Sequence, residues 1–460
     1  MKIVHVASEF APLAKAGGLG DVLLGLSRAT LESGHDVTVI IPKYSSIDID
    51  CQRVAELHDL YNGKNALTTF WKAHYQNIPL ILVESDQNFF SSGKIYGEPN
   101  DCDRFGFFSK QVAHYLKRES IDLVHLHDWH TALVALLHPE VKSVLTLHNM
   151  AYAGACDLAT LQRIGLKEDE VKALKYRDYY SILQGGLESA EKLVAVSPTY
   201  AQEILTAELG AGFDSYLNQH KEKLTGILNG IDYTFWNPEQ DGFLPAHYNL
   251  QTLSRKKKVK AALQKRLGLL SGNKLLVAFV GRLVAQKGPQ LIEAAMKKII
   301  ADGGQFVLLG ATSDPVIEEQ FTQLKSAYRN NPNVHIELVY DEPMAHLIFA
   351  GSDMLIVPSL FEPCGLTQMI AMRYGTVPLV RRTGGLADTV FESKNGFNFV
   401  EPTEEAIFQA LDRSFACWKN EPAKWQQLIA NGMSEDFSWK KPQEAYADLY
   451  RGIKSNKAFL

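Results

Sequence analysis

Cysteine is scarce in this chain. Cys51, Cys102, Cys156, Cys364 and Cys417 are odd in number, far apart and never in a CxxC pair, which argues against a disulfide framework and for a reduced compartment. No apolar run approaches the ~18 residues of a membrane span. Glu9 and Pro12 arrive before a signal-peptide core could form, so a soluble, cytoplasmic protein without a membrane partner is expected. An excess of one charge is also missing. Forty-seven basic against 52 acidic side chains leave a net charge of -5, too little to make nucleic acid or an anionic surface the main partner. Internal repeats, heptads and low-complexity tracts are absent as well.

What is present suits a large α/β enzyme. The 460 residues exceed one typical domain, and an apolar content of 46% can fill cores of two. Short β-branched or Leu-rich runs alternate with amphipathic stretches, the pattern of parallel strands joined by crossover helices. Strands are expected at Lys2–Ser8, Val37–Ile41, Leu80–Val83, Leu123–His127, Val144–Leu147 and Leu193–Val196. A second series is expected at Leu275–Val280, Phe306–Leu309, Val334–Leu338, Met354–Val357 and Val377–Val380. Between them, Asn237 to Arg266 carries turns and charges, which places a domain boundary near residue 240. The expected division is thus 1–240, 241–441, and a C-terminal helix over 442–460 that packs back on the first domain. The basic run from Arg255 to Arg266 reads as the wet side of a helix whose Val259, Ala262, Leu263 and Leu267 face inward.

Two doubly wound domains in sequence predict a cleft at the carboxyl edges of their sheets. Residues just after strand ends are therefore the candidates. Lys15-Ala16-Gly17-Gly18-Leu19-Gly20-Asp21 opens a helix after the first strand, and glycines at a helix start let amides approach an anion; a tight turn alone would also explain them. The loop lacks both GxxxxGK[ST] and the third glycine of the dinucleotide fingerprint. His127-Asp128-Trp129-His130 and His148-Asn149 follow two further strands. The HxHDxH order does not match binuclear hydrolases and no carboxylate-rich partner accompanies it, so no metal is expected. His148 and Asn149 are placed to bond a hydroxylated ligand. In the second half, Arg282 offers a fork and Lys287 a point charge on one loop, a pairing suited to a departing diphosphate. Glu362 precedes the small residues Cys364 and Gly365 at a helix start and reads equally as a sugar-binding carboxylate or a capping acid.

Taken together, KAGGLGD, HDWH, TLHNMAY, VSPTYAQEI, ILNGID, GRLxxQKG, PSLFEPCGLTQ and YGTVPLVRRTGGLADTV resemble the bacterial glycogen synthases and plant starch synthases, retaining glycosyltransferases of family 5, over essentially the whole chain. The resemblance implies a GT-B fold, two Rossmann-like doubly wound domains facing across a deep cleft. It implies transfer of glucose from ADP-glucose to the non-reducing-end 4-hydroxyl of glycogen or another α-1,4-glucan, without a cofactor. It assigns Lys15, His148, Arg282, Lys287 and Glu362 to catalysis. Donor binding falls to Gly18, Asp21, Asp128, Asn149, Asn229, Tyr340, Cys364, Gly365, Leu366 and Thr367, with Tyr340 stacking on the base and cations of both domains on one diphosphate. Gln184, Leu360, Ala153 and the order Asn100-Asp101 depart from the family pattern, which bears on acceptor preference and donor affinity. UDP-glucose as donor, or a non-catalytic glucan-binding regulator, are the rival readings.

Overall fold

The computed structural model describes residues 1–455. The chain forms two compact units, Met1–Gly230 with the C-terminal segment from Trp439, and Ile231–Ser438. The first crossing precedes residue 240 because the following turns already belong to the second unit. There the buried Asp241 accepts from Tyr374 Oη at 2.5 Å and pairs with His346 at 2.7 Å.

The first unit is built on a nine-stranded sheet. Its order is Leu224–Gly226, Lys192–Ala195, Ser143–Leu147, Leu123–His127, Lys2–Val6, Asp36–Pro42, Ile78–Ser85, Lys64–Tyr75 and Gln52–Tyr61. The short strands are mostly apolar, largely buried on both faces, and pair in parallel, as helix-covered strands must. The last two are an antiparallel hairpin that the parallel reading misses. Its signal was available: Asn62 and Gly63 lie at φ 51° and 70° between alternating strands, the demand of a tight primed turn. A small sheet over Ala155–Ser181 was also not foreseen.

The C-terminal helix Lys440–Ser455 closes this unit, and the expected residues 456–460 lie outside the described residues. Tyr446, Tyr450 and Ile453 join Ile3, Val22, Leu26 and Leu123 in one apolar cluster. Docking is close at Gly25, where a Cβ would stand 1.9 Å from Trp439 Nε1. Gly25→Ala is expected to cost about 1–3 kcal/mol through overpacking. An unchanged urea midpoint would contradict this docking.

The second unit carries a six-stranded, wholly parallel sheet in the order Val334–Glu337, Gln305–Leu309, Leu276–Val280, Met354–Val357, Val377–Arg381, Phe397–Phe399. Val277, Phe279, Leu308, Ile356 and Leu379 meet Ile292, Met296 and Ile299 of the helix Pro289–Ala301 in its core. The basic run forms the helix Lys256–Arg266, with Val259 and Leu263 fully buried. Lys256 departs from the solvated face expected for it. Its ammonium is buried against Ala350 O (2.7 Å), Tyr374 O (3.1 Å) and Thr376 Oγ1 (2.8 Å), and burial lowers its pKa to about 7.

Candidate functional site

In the first unit the glycine-rich turn follows the strand Lys2–Val6 and opens the helix Gly18–Glu32. A residue overlooked in the sequence organises it. Glu9, 2% exposed, accepts from Ala16 N at 2.8 Å and Gly17 N at 2.9 Å through one oxygen and from Tyr96 Oη at 2.7 Å through the other. Two amides of the anticipated phosphate cradle are therefore engaged internally, and the helix start from Gly18 onward remains. Lys15 Nζ pairs with Asp21 Oδ1 at 2.9 Å, both half-buried. The only clue to Glu9 was its position directly after a strand end.

The neighbouring strands place the histidines. Leu123–His127 ends at Asp128, which holds φ 59° and ψ -176°, a conformation that strains any residue but glycine and that clusters at functional sites. The strain is repaid by hydrogen bonds. Asp128 N donates to Thr146 O at 2.9 Å, and Asp128 Oδ1 accepts from His148 N at 2.7 Å and Asn149 N at 3.3 Å. Asp128 thereby shapes the turn that presents His148 and Asn149, and burial raises its carboxyl to about 7. Met150 N donates to Tyr200 Oη at 2.9 Å, fixing the far end of that turn. Asn229, 3% exposed, lies beyond the strand Leu224–Gly226, and its Oδ1 has no hydrogen-bond partner among the described residues. A buried amide oxygen left so calls for an explanation.

His5, His125 and His127 carry nitrogens within 4.8 Å of one another, a spacing that invites a metal. Their donor set does not fit one. His5 Nδ1 bonds His127 Nε2, His127 Nδ1 bonds His148 Nε2, and both nitrogens of His125 are engaged by Tyr450 Oη and Thr146 Oγ1.

Burial holds these rings neutral, with His5, His130 and His148 lowered to about 3 and His125 and His127 well below 6.5. An unfolded chain protonates near pH 6.5 where the folded one does not, so stability is lost as pH falls from 6.5 toward 3. Asp128 acts in the opposite sense. Its folded carboxyl keeps a proton that the unfolded one releases, so its contribution declines as pH rises from 3.8 to about 7. Five imidazoles outweigh one carboxyl, and the denaturant midpoint is expected to drop between pH 7 and pH 5. A midpoint that holds or rises would refute the neutral cluster.

In the second unit, strand Leu276–Val280 runs into Gly281 and the exposed Arg282, which has no ion-pair partner among the described residues. Lys287 Nζ meets Glu362 Oε2 at 2.5 Å, and Ser359 Oγ donates to the same oxygen at 2.7 Å. Leu360 N to Gln286 O (2.8 Å) and Gln286 Nε2 to Phe361 O (3.0 Å) tie the two loops together. Glu362 is 5% exposed and caps no helix, which removes the capping alternative. Gly365 at φ 72° turns the chain into the helix Thr367–Arg373, with Cys364 buried behind it.

The distant TGGLADTV segment explains itself here. A Cβ at Gly384 would lie 1.9 Å from Glu362 O, and one at Gly385 2.0 Å from Cys364 O. The glycines thus let the helix Gly384–Thr389 press on the Glu362–Cys364 backbone. Tyr340, 67% exposed, bonds Glu342 Oε2 at 2.6 Å.

Comparison with known proteins shows the family and the fold. Residues 2–219 match the starch synthase catalytic domain family, and residues 262–431 the glycosyl transferases group 1. The chain is 42% identical to a glycogen synthase of Protochlamydia amoebophila, covering 99% of this chain and 100% of that one. It is 40% identical to glycogen synthase 1 of Nitrosococcus oceani at the same coverage. Among solved structures, the catalytic domain of starch synthase IV from Arabidopsis thaliana, bound to ADP and acarbose, superposes with a TM-score of 0.93 at 38% identity, over 98% of this chain and 99% of that one. A sucrose-phosphate synthase from Thermosynechococcus elongatus shares the fold, with a TM-score of 0.64 at 19% identity and 99% coverage of both chains.

Proposed function

Because the chain belongs to the glycogen and starch synthase family, and is a glycogen synthase and hexosyltransferase built of two Rossmann-like GT-B units, we propose that its donor is ADP-glucose and that glucose passes with retention to the 4-hydroxyl at the non-reducing end of an α-1,4-glucan. The observation that carries this reading is the loop pair of the second unit, where Arg282 is open to solvent and Lys287 is held against Glu362. The ADP bound to the starch synthase IV relative supports the choice of nucleotide.

Breaking the glucose–phosphate bond builds positive charge on the sugar and negative charge on the diphosphate. In the second unit Arg282 and Lys287 stabilise the leaving group as that charge grows; in the first, Lys15 and the helix start at Gly18 offer positive charge to an anion. Donor binding draws Lys287 and Lys15 partly away from Glu362 and Asp21. His148 and Asn149 of the first unit offer hydrogen bonds to sugar hydroxyls, as Glu362 does in the second, and Asn229 Oδ1, without a partner among the described residues, takes a polar hydrogen of the donor. Tyr340 stacks on the base, Asp21 lies near the nucleoside, and backbone groups of Cys364, Gly365, Leu366 and Thr367 receive glucose and phosphate. The diphosphate accepts the proton of the attacking hydroxyl on the face it leaves, which retains configuration without a covalent enzyme intermediate. Free thiols at all five cysteines suit work in the cytoplasm.

The test is an initial-rate comparison of labelled ADP-glucose and UDP-glucose with glycogen. Label entering polymer faster from ADP-glucose is expected. Faster entry from UDP-glucose overturns the donor, and label in a small product or nowhere overturns the reaction.

A further inference from the structure

Behind His148 a line of imidazoles leads into the sheet. His148 Nε2 lies 3.0 Å from His127 Nδ1, and His127 Nε2 lies 3.2 Å from His5 Nδ1. His5 and His127 are wholly buried, on the adjacent strands Lys2–Val6 and Leu123–His127. The line stops at His5 Nε2, a buried nitrogen with no partner among the described residues. His125 stacks on His127 with ring centroids 4.4 Å apart, but its nitrogens are taken by Tyr450 and Thr146, so it does not extend the line.

A neutral imidazole has one N–H and one lone pair. With both hydrogen bonds made, only two arrangements of hydrogens exist. In one, every ring carries hydrogen on Nε2, and His5 buries an N–H with nothing to accept it. In the other, every ring carries hydrogen on Nδ1, and His5 buries only a lone pair. Orphaned buried donors are the rarer defect in folded proteins.

We propose that His5 and His127 are positioning residues that fix His148 in the tautomer with hydrogen on Nδ1, so that the nitrogen left to the substrate is a donor to a hydroxyl oxygen of the transferred sugar. This rests on the reading of His148 as a sugar contact. A free histidine prefers hydrogen on Nε2, so the assignment has a distinct signature and is not the default. It also explains why ionisable rings are buried in two adjacent strands at the centre of the sheet: an apolar ring at position 127 would orient His148 sterically but leave its hydrogen unassigned.

Nitrogen NMR of protein labelled with 15N-histidine tests it without substrate, the His148 signals being identified by their loss in His148→Gln. A protonated Nδ1 and an unprotonated Nε2 are expected; the reverse pattern overturns the proposal. Two variants test the consequence. His127→Asn keeps an amide N–H where Nδ1–H stood and is expected to retain kcat within about threefold, whereas His127→Leu should lose on the order of tenfold in kcat, the worth of one hydrogen bond, with KM little changed. Equal kcat in the two variants contradicts the positioning role. If His148→Ala keeps full turnover while the wild-type tautomer is as assigned, the sugar contact fails and the tautomer assignment stands.

Discussion

Lys287→Ala is expected to lower turnover by on the order of 10²–10³-fold, the usual loss when one preorganised charge is removed from a developing anion. KM for the donor should change less, because the missing attraction grows as the diphosphate departs. The structure adds a complication. Lys287 pairs with Glu362 at 2.5 Å, their side chains being 18% and 7% exposed, so the variant leaves a buried carboxylate with Ser359 as its remaining hydrogen-bond partner. A loss of the order of a few kcal/mol in stability is therefore expected alongside. Adding Glu362→Gln to Lys287→Ala isolates the stability effect, since neutralising the carboxylate is expected to restore the denaturant midpoint, whereas turnover is read from Lys287→Ala alone under conditions where it is folded. A folded Lys287→Ala enzyme within a few-fold of wild type would remove Lys287 from the leaving-group site.

The second large effect lies in a residue that touches no ligand in this account. In Gly385→Ala the new Cβ would meet Cys364 O at 2.0 Å, backbone against backbone, where nothing flexible can yield. Contacts under 3.0 Å force a shift, here of about 1 Å in the segment that presents Glu362 and the amides after it, and misplacement on that scale costs on the order of 10²-fold. Loss of kcat with the secondary structure intact is the expected outcome, read by steady-state kinetics and circular dichroism. Activity near wild type would mean that the helix Gly384–Thr389 does not set the Glu362 loop.

Much of this arrangement is legible in the chain because it lies on strand ends. The runs ending at His127, Leu147, Val280 and Val357 are mostly apolar and buried on both faces, so their limits mark where Asp128, His148, Arg282 and Glu362 must emerge. What escapes is the pairing of segments remote in sequence. Nothing near Glu9 announces that its carboxylate will hold Ala16 N and Gly17 N, and Tyr96 reaches it from 87 residues away. The same holds for Lys256, one of several lysines in a basic run, which is drawn inward by carbonyls at Ala350 and Tyr374. The hairpin at Asn62-Gly63 is a different failure. Its turn chemistry was explicit and its strands alternate visibly, but a half-exposed antiparallel extension does not obey the pattern of a helix-covered parallel sheet.

The most direct measurement of the whole account is proton NMR of the purified enzyme with ADP-glucose and a malto-oligosaccharide, followed in real time. The prediction is one ADP released for each glucose added, and a new anomeric signal of the α-1,4 linkage from the first turnover. A β signal, ADP released without glucosyl transfer, or an unchanged spectrum would contradict it.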